Sequence, residues 1–184
     1  MNQEWIGVAA AVMVGAVVAA LLAWKLLRWY RHPERRLDQA LRQHSWDFAR
    51  DVVIPDGLDG HVHLDRVLIT PRGLVLFDVK RVNGAVFGAE KMDEWVVMDS
   101  GRRHGFRNPL GPLQERMTAL RAFAPQMAVD GYVLVVGQVA FPKGRPTRTL
   151  SLPDLPEQLE PVEGGLPDGW KAAWNAIRGR GRKG

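Results

Sequence analysis

The chain has no cysteine, and that absence removes disulfides, thiolate nucleophiles and zinc ribbons at once. Any metal chemistry must therefore use oxygen or imidazole donors. A phosphate-binding loop is missing as well: NGAVFG at residues 83–88 is not followed by Lys-Ser or Lys-Thr, so Gly84 and Gly88 read as turn residues. No Ser-His-Asp arrangement can be argued, and no internal repeat runs through the sequence. With 184 residues there is room for one domain of ordinary size and a short appendage, not for two full cores. The charge that is present leans one way. A formal net charge of +5 and a pI near 10.0 suit an anionic partner, either nucleic acid or an anionic membrane surface.

Charge is absent from one long stretch. From Trp5 to Trp24 the sequence WIGVAAAVMVGAVVAALLAW carries none, and about 20 residues at roughly 1.5 Å each cross a hydrocarbon core of about 30 Å. A transmembrane helix over residues 5–27 is expected. A cleavable signal peptide would need a basic start and a shorter apolar core, whereas MNQE precedes this run. Lys25, Arg28, Arg31, Arg35 and Arg36 follow the span and no Lys or Arg precedes it. The positive-inside rule then gives a single-pass protein of the inner (cell) membrane, N-terminus outside and C-terminal domain cytoplasmic. Trp5, Trp24, Trp29 and Tyr30 stand where an interfacial aromatic belt would stand. Gly7, Ala11 and Gly15 form a row of small residues, read as lipid-facing rather than as a dimerisation seam.

Past a basic juxtamembrane linker, residues 28–33, Pro33 can open a helix whose Leu37, Ala40 and Leu41 share one face. FARDVVIPDG reads as a strand, residues 61–84 as two strands around TPRG, and KMDEWVVMDSG as another. Leu110, Leu113, Met117 and Leu120 keep helical spacing, DGYVLVVGQVAF is an apolar strand, and TRTLSL reads as one more. LPDLPEQLEPVEGGLPDG reads as loop with one helical turn, KAAWNAI as a final helix and RGRGRKG as a solvated basic tail. The expected fold is mixed α/β (α+β), a central mixed sheet flanked by helices. Its domain covers residues 34–152, and residues 153–184 form a C-terminal extension with the basic tail.

Two acidic residues interrupt apolar strands. If Pro71 and Arg72 are the central residues of the TPRG turn, Thr70 pairs with Gly73 and Asp65 falls opposite Asp78. Cross-strand neighbours lie about 5 Å apart, a distance one divalent cation can bridge. Lys80, two residues beyond Asp78, shares its face. A three-residue loop would instead set Asp65 across from Val79. The plainer reading makes both aspartates solvent-facing, with Lys80 as a cross-strand partner. Against it, Val67, Ile69, Leu74 and Leu76 share the parity of the acidic residues, and a carboxylate on an apolar face needs a partner. A hard cation such as Mg²⁺ is a natural one. Two carboxylates held close without a cation repel, so Asp78→Asn is expected to leave the fold intact or more stable. His61 and His63 form an H-x-H pair, read as surface histidines rather than a metal site.

The hairpin resembles the NERD (nuclease-related) domain, a branch of the PD-(D/E)XK nuclease-like fold, where an Asp on one strand precedes an acidic-x-Lys on the next. Glu34, Leu37 and Leu41 fit the family's opening helix and LDRVLITPRGLVLFDVK its core. NG-x-V-x-G, Trp95 and Asn108-Pro109-Leu110 fit the family's pattern beyond that core. The resemblance covers roughly residues 34–124. Asp78 stands where the family usually has Glu, Pro33 where it usually has Gly and Pro112 where it tends to have Gln. The resemblance implies Mg²⁺ held by Asp65, Asp78 and the backbone carbonyl of Val79, and catalysis by Asp65, Asp78, Lys80 and Glu34. The implied reaction is phosphodiester hydrolysis of DNA or RNA, with Arg66, Arg72, Arg81 and Lys91 available to phosphates. The alternative is a non-catalytic, membrane-tethered nucleic-acid-binding or interaction module that keeps a degenerate nuclease fold and not the turnover.

Overall fold

The computed structural model describes residues 33–183 and the isolated Leu21. The expected membrane span and most of its basic linker lie outside the described residues, among which no helix is long and apolar enough to cross a membrane. The chain divides into two compact units, residues 1–36 and 37–184. Helix α1 (Pro33–Gln43) spans that boundary, and its Leu37 and Leu41 are buried in the second unit.

Strands β1 (Asp47–Pro55), β2 (His61–Thr70), β3 (Gly73–Arg81), β7 (Val129–Val136), β9 (Thr149–Ser151) and β10 (Arg182–Lys183) form a six-stranded mixed sheet. Its order is β10-β1-β2-β3-β7-β9, antiparallel as far as β3 and parallel from β3 through β7 to β9. A second sheet comprises β4 (Gly84–Phe87), β5 (Glu94–Asp99), β6 (Arg102–Arg107) and β8 (Val139–Ala140) in the order β6-β5-β4-β8. The expected central mixed sheet flanked by helices is therefore present, and the smaller second sheet is an addition that the sequence did not disclose. Where Gly84 to Gly88 read as turn, the chain enters β4, and RRHGFR, with no apolar alternation to betray it, is β6.

One continuous strand pair builds both sheets. β3 and β7 pair in parallel up to Arg81↔Val136, and after two residues on each side the pairing resumes in the same register as Gly84↔Val139. At the break, Val82 N–H donates to Val136 O (3.1 Å) and Gln138 N–H to Asn83 Oδ1 (2.9 Å). Gly137 makes the bend possible. Its φ is +142°, and a Cβ there would lie 2.0 Å from Val82 O.

Helices cover the two faces of the large sheet. On one, α2 (Leu110–Phe123) buries Leu113, Met117 and Leu120 against Val67, Ile69, Leu74 and Leu76. Each such side chain contributes roughly 1.5–3 kcal/mol. The other face takes α1 together with α3 (Leu155–Gln158), burying Phe48, Leu68, Phe77, Val79 and Leu155. Helix α4 (Asp168–Arg178) sends Trp174 and Ile177 into the α2-side core, and Trp174 Nε1 donates to Asp47 Oδ2 at 3.0 Å.

The tail expected to be solvated is an edge strand instead, pairing Ala49↔Lys183 and Arg50↔Arg182 along β1. The reason is local. Once Trp174 and Ile177 are buried, the chain end emerges beside the open edge of β1, whose unpaired N–H and C=O groups accept another strand.

Candidate functional site

The β2–β3 hairpin is built by its turn. Thr70 pairs with Gly73, Thr70 Oγ1 donates to Gly73 O (3.0 Å), and Gly73 takes φ +115°, where an added Cβ would meet Ala128 O at 2.3 Å. The ladder runs outward to Arg66↔Phe77. Continued by one step, that register sets Asp65 opposite Asp78; the paired ladder itself stops before it, and the Asp65 carboxylate meets the backbone of Val79, the next residue. The two-residue loop reading therefore holds, and the three-residue alternative is excluded.

Val67 and Ile69 lie in the α2-side core as their parity requires, but Leu64 lies there too, so the alternation breaks at Asp65. The partner strand breaks at the same level. Asp51 of β1 has φ +51° and falls between the paired residues Arg50↔Arg66 and Val52↔Leu64. The irregular position in each strand is an aspartate, and Asp51, Asp65 and Asp78 form one row across three strands.

Asp78 is only 3% exposed, and both of its oxygens are engaged. Lys80 Nζ donates to Oδ1 at 2.9 Å and Arg116 Nη1 to Oδ2 at 3.0 Å. Both cations remain about one third exposed, with side chains at 32% and 28%. Asp65 accepts the Val79 N–H on Oδ2 at 3.0 Å. Its Oδ1 lies 3.5 Å from His63 Nδ1, and His63 Nε2 lies 3.5 Å from Asp51 Oδ1, so the imidazole sits between two carboxylates.

Arg116 is the member that sequence reasoning missed. It lies three residues after Leu113 and one before Met117, on the helical stripe that α2 buries. A charged side chain on a core-facing stripe was the available signal. Helix α2 is itself positioned by Asn108, whose Oδ1 accepts the Leu110 N–H (3.0 Å) and whose Nδ2 donates to Met92 O (2.7 Å). Trp95 Nε1 donates to Ala89 O (3.1 Å) and pins the same loop.

Glu34 apart, the other expected residues are dispersed. Glu34 stands in the first turn of α1 and belongs to the first unit, whereas the aspartate cluster lies wholly in the second. Arg66 is buried on the opposite sheet face with its Nε 3.4 Å from Asp38 Oδ1, so it is not a surface phosphate contact. Arg72 pairs with Glu160 at the far end of the hairpin. Arg81 is exposed beyond Lys80, and Lys91 lines a separate hollow.

The donor set can be tested against Mg²⁺. Among the described residues no three His, Asp or Glu side chains come together as a metal cage. Mg²⁺ does not need one, since it keeps several waters and is held through one or two carboxylates. Each ionised carboxylate oxygen has about two lone-pair sites, so Asp78 retains acceptor capacity beside Lys80 and Arg116. In an extended strand the N–H and C=O of one residue point to the same neighbour. Since the Val79 N–H meets Asp65, the Val79 carbonyl faces the same edge. Asp65, Asp78 and Val79 fit a hard cation.

A family model described as the nuclease-related domain (NERD) matches residues 31–142. No curated protein and no solved structure matches the chain.

Proposed function

We propose, from the premise that the chain belongs to the nuclease-related domain family, that it is a membrane-anchored, Mg²⁺-dependent nuclease that hydrolyses phosphodiester bonds of DNA or RNA. One observation carries this reading. A buried aspartate, Asp78, is held between Lys80 and Arg116 and faces a second aspartate, Asp65, at the break in the strand alternation.

Asp65, Asp78 and the Val79 carbonyl would hold the cation, which supplies a Lewis acid and a bound water of lowered pKa. The chain's own groups do the rest. Lys80 and Arg116 are partly exposed cations held by a carboxylate that is nearly out of solvent, so both are oriented before substrate arrives. Lys80 would orient the attacking water or donate to a phosphoryl oxygen as negative charge builds. Arg116 can donate from its guanidinium fork to a non-bridging phosphate oxygen. Buried and bonded on both oxygens, Asp78 is held in place, which fixes the cluster's geometry. Glu34 is a further acidic group by family likeness. The charge-free run at residues 5–24 and the cations after it would tether the domain at the cytoplasmic face of the cell membrane.

A second reading has its own support. Both Asp78 oxygens are bonded to cations of the chain itself, so the triad can be a structural ion cluster in a non-catalytic nucleic-acid-binding module. Cleavage of labelled DNA and RNA by the full-length chain decides between the two. The nuclease reading predicts cleavage with Mg²⁺ that stops with EDTA and is lost in Asp78→Asn. Salt-dependent nucleic-acid binding with no EDTA-sensitive cleavage would give the second reading the case.

A further inference from the structure

Where β3 leaves the large sheet and becomes β4, the bend opens a cleft of about 600 Å³. Lys80 lines it, so the cleft begins at the aspartate cluster itself. From there it runs past Arg81 and Asn83 to His104, Phe106 and Arg107 on β6. The walls are fixed by the strand pairing across the bend and by the Trp95–Phe106 edge contact, with ring centroids 6.0 Å apart. This is a built cleft, not a loop hollow.

Its chemistry is one-sided. Lys80, Arg81 and Arg107 supply positive charge and His104 a further donor, while Asp99 is the one carboxylate among the lining residues. Val82, Val97 and Phe106 give an apolar floor. On the same strand, Arg102 and Arg103 are also exposed, and among the described residues neither Arg103 nor Arg107 makes an ion pair. Apart from Phe106 this strand is spent on solvent, and of its arginines Arg107 lines the cleft that Lys80 also lines.

We infer that this cleft is the track for the polynucleotide: the phosphates flanking the scissile one lie along Arg81, His104 and Arg107, with sugar or base against the apolar floor. The inference rests on the nuclease reading of Lys80. The bound chemistry is a repeating phosphodiester, whether the source is DNA or RNA. Phosphate contacts of this kind position the strand and make binding salt-dependent without reading sequence.

The test uses the full-length chain in detergent with EDTA present, so that no turnover occurs. Anisotropy of labelled single-stranded DNA, single-stranded RNA and a DNA duplex is followed across a salt series. The double variant His104→Ala/Arg107→Ala is compared with Arg72→Ala, which also removes one formal charge but at the other end of the hairpin. The expected result is about tenfold weaker binding and a shallower salt slope, by about one, for the double variant, and neither change for Arg72→Ala. Equal binding by the double variant and the wild type, or equal weakening by Arg72→Ala, overturns the inference. The two readings fail separately. A wild type that cleaves while the double variant binds and cleaves unchanged removes the track and keeps the nuclease, and an inactive wild type whose binding depends on His104 and Arg107 does the reverse.

Discussion

The two sheets handle charge in opposite ways. In the six-stranded sheet Asp78 is buried to 3% exposure and compensated on both oxygens, whereas the outer strand of the four-stranded sheet leaves Arg102, Arg103, His104 and Arg107 in solvent. Interior charges are fixed by their partners, and removing one leaves the others stranded. Exposed charges are held by the backbone alone and can be removed without disturbing a core. In the function proposed above, chemistry and substrate attraction would therefore reside in structurally separable places, joined at Lys80.

The largest expected effect is on the interior side. Asp78→Asn leaves Lys80 and Arg116 adjacent to a neutral amide, and we expect a loss of about 2–3 kcal/mol in denaturant melts, discounted for the partial exposure of both partners. This reverses the expectation from sequence, in which two facing carboxylates repel. The structure places two cations on Asp78, and they outweigh Asp65. An unchanged or higher midpoint would return the cluster to the repulsive picture.

A pH-dependent effect sharpens the interior half of the comparison. Tyr132 of β7 donates to Asp130 Oδ2 (2.6 Å) and accepts from Gln158 Nε2 (2.7 Å). Burial, then the hydrogen bond and charge of Asp130, push its pKa up from 10.0 to about 12. A raised folded-state pKa gives stability that is fully present below the unfolded value and is lost as pH rises through the folded value. Tyr132→Phe should therefore flatten the decline in unfolding free energy between pH 10 and 12. A wild-type and variant difference that stays constant across that window would contradict it.

The smallest effect belongs to the outer sheet. His104→Ala/Arg107→Ala should shift unfolding free energy by no more than about 0.5 kcal/mol, since both residues are exposed. A loss of about 2 kcal/mol would show that the outer strand carries structural charge like the inner one.

How far the sequence disclosed this arrangement depends on what held each part in place. The hairpin was legible because Thr-Pro-Arg-Gly specifies its own turn, and turn length then sets which residues face each other. Asp65, Asp78 and Lys80 came together from that local chemistry and from parity. Arg116 did not, because the landing place of a helix side chain on a sheet is set by packing of Leu113 and Met117 against strands distant in the chain. The second sheet was half legible: EWVVMD reads as a strand, but RRHGFR has one apolar residue, and β8 has two residues that pair only because β7 was already aligned with β3. Arg182–Lys183 lacked any signal of its own, being recruited by the open edge of β1.

The claim at the centre is that Asp65 and Asp78 form a cation site rather than a closed ion cluster, and melting with and without Mg²⁺ tests it most directly. A ligand that binds only the folded state raises its stability by mass action, about 2.7 kcal/mol at a concentration about one hundred times the Kd. Mg²⁺ should raise the melting temperature of the full-length wild type in a saturable way, and should leave that of Asp78→Asn unchanged. An equal shift in both proteins, or none in the wild type at millimolar Mg²⁺, would contradict it.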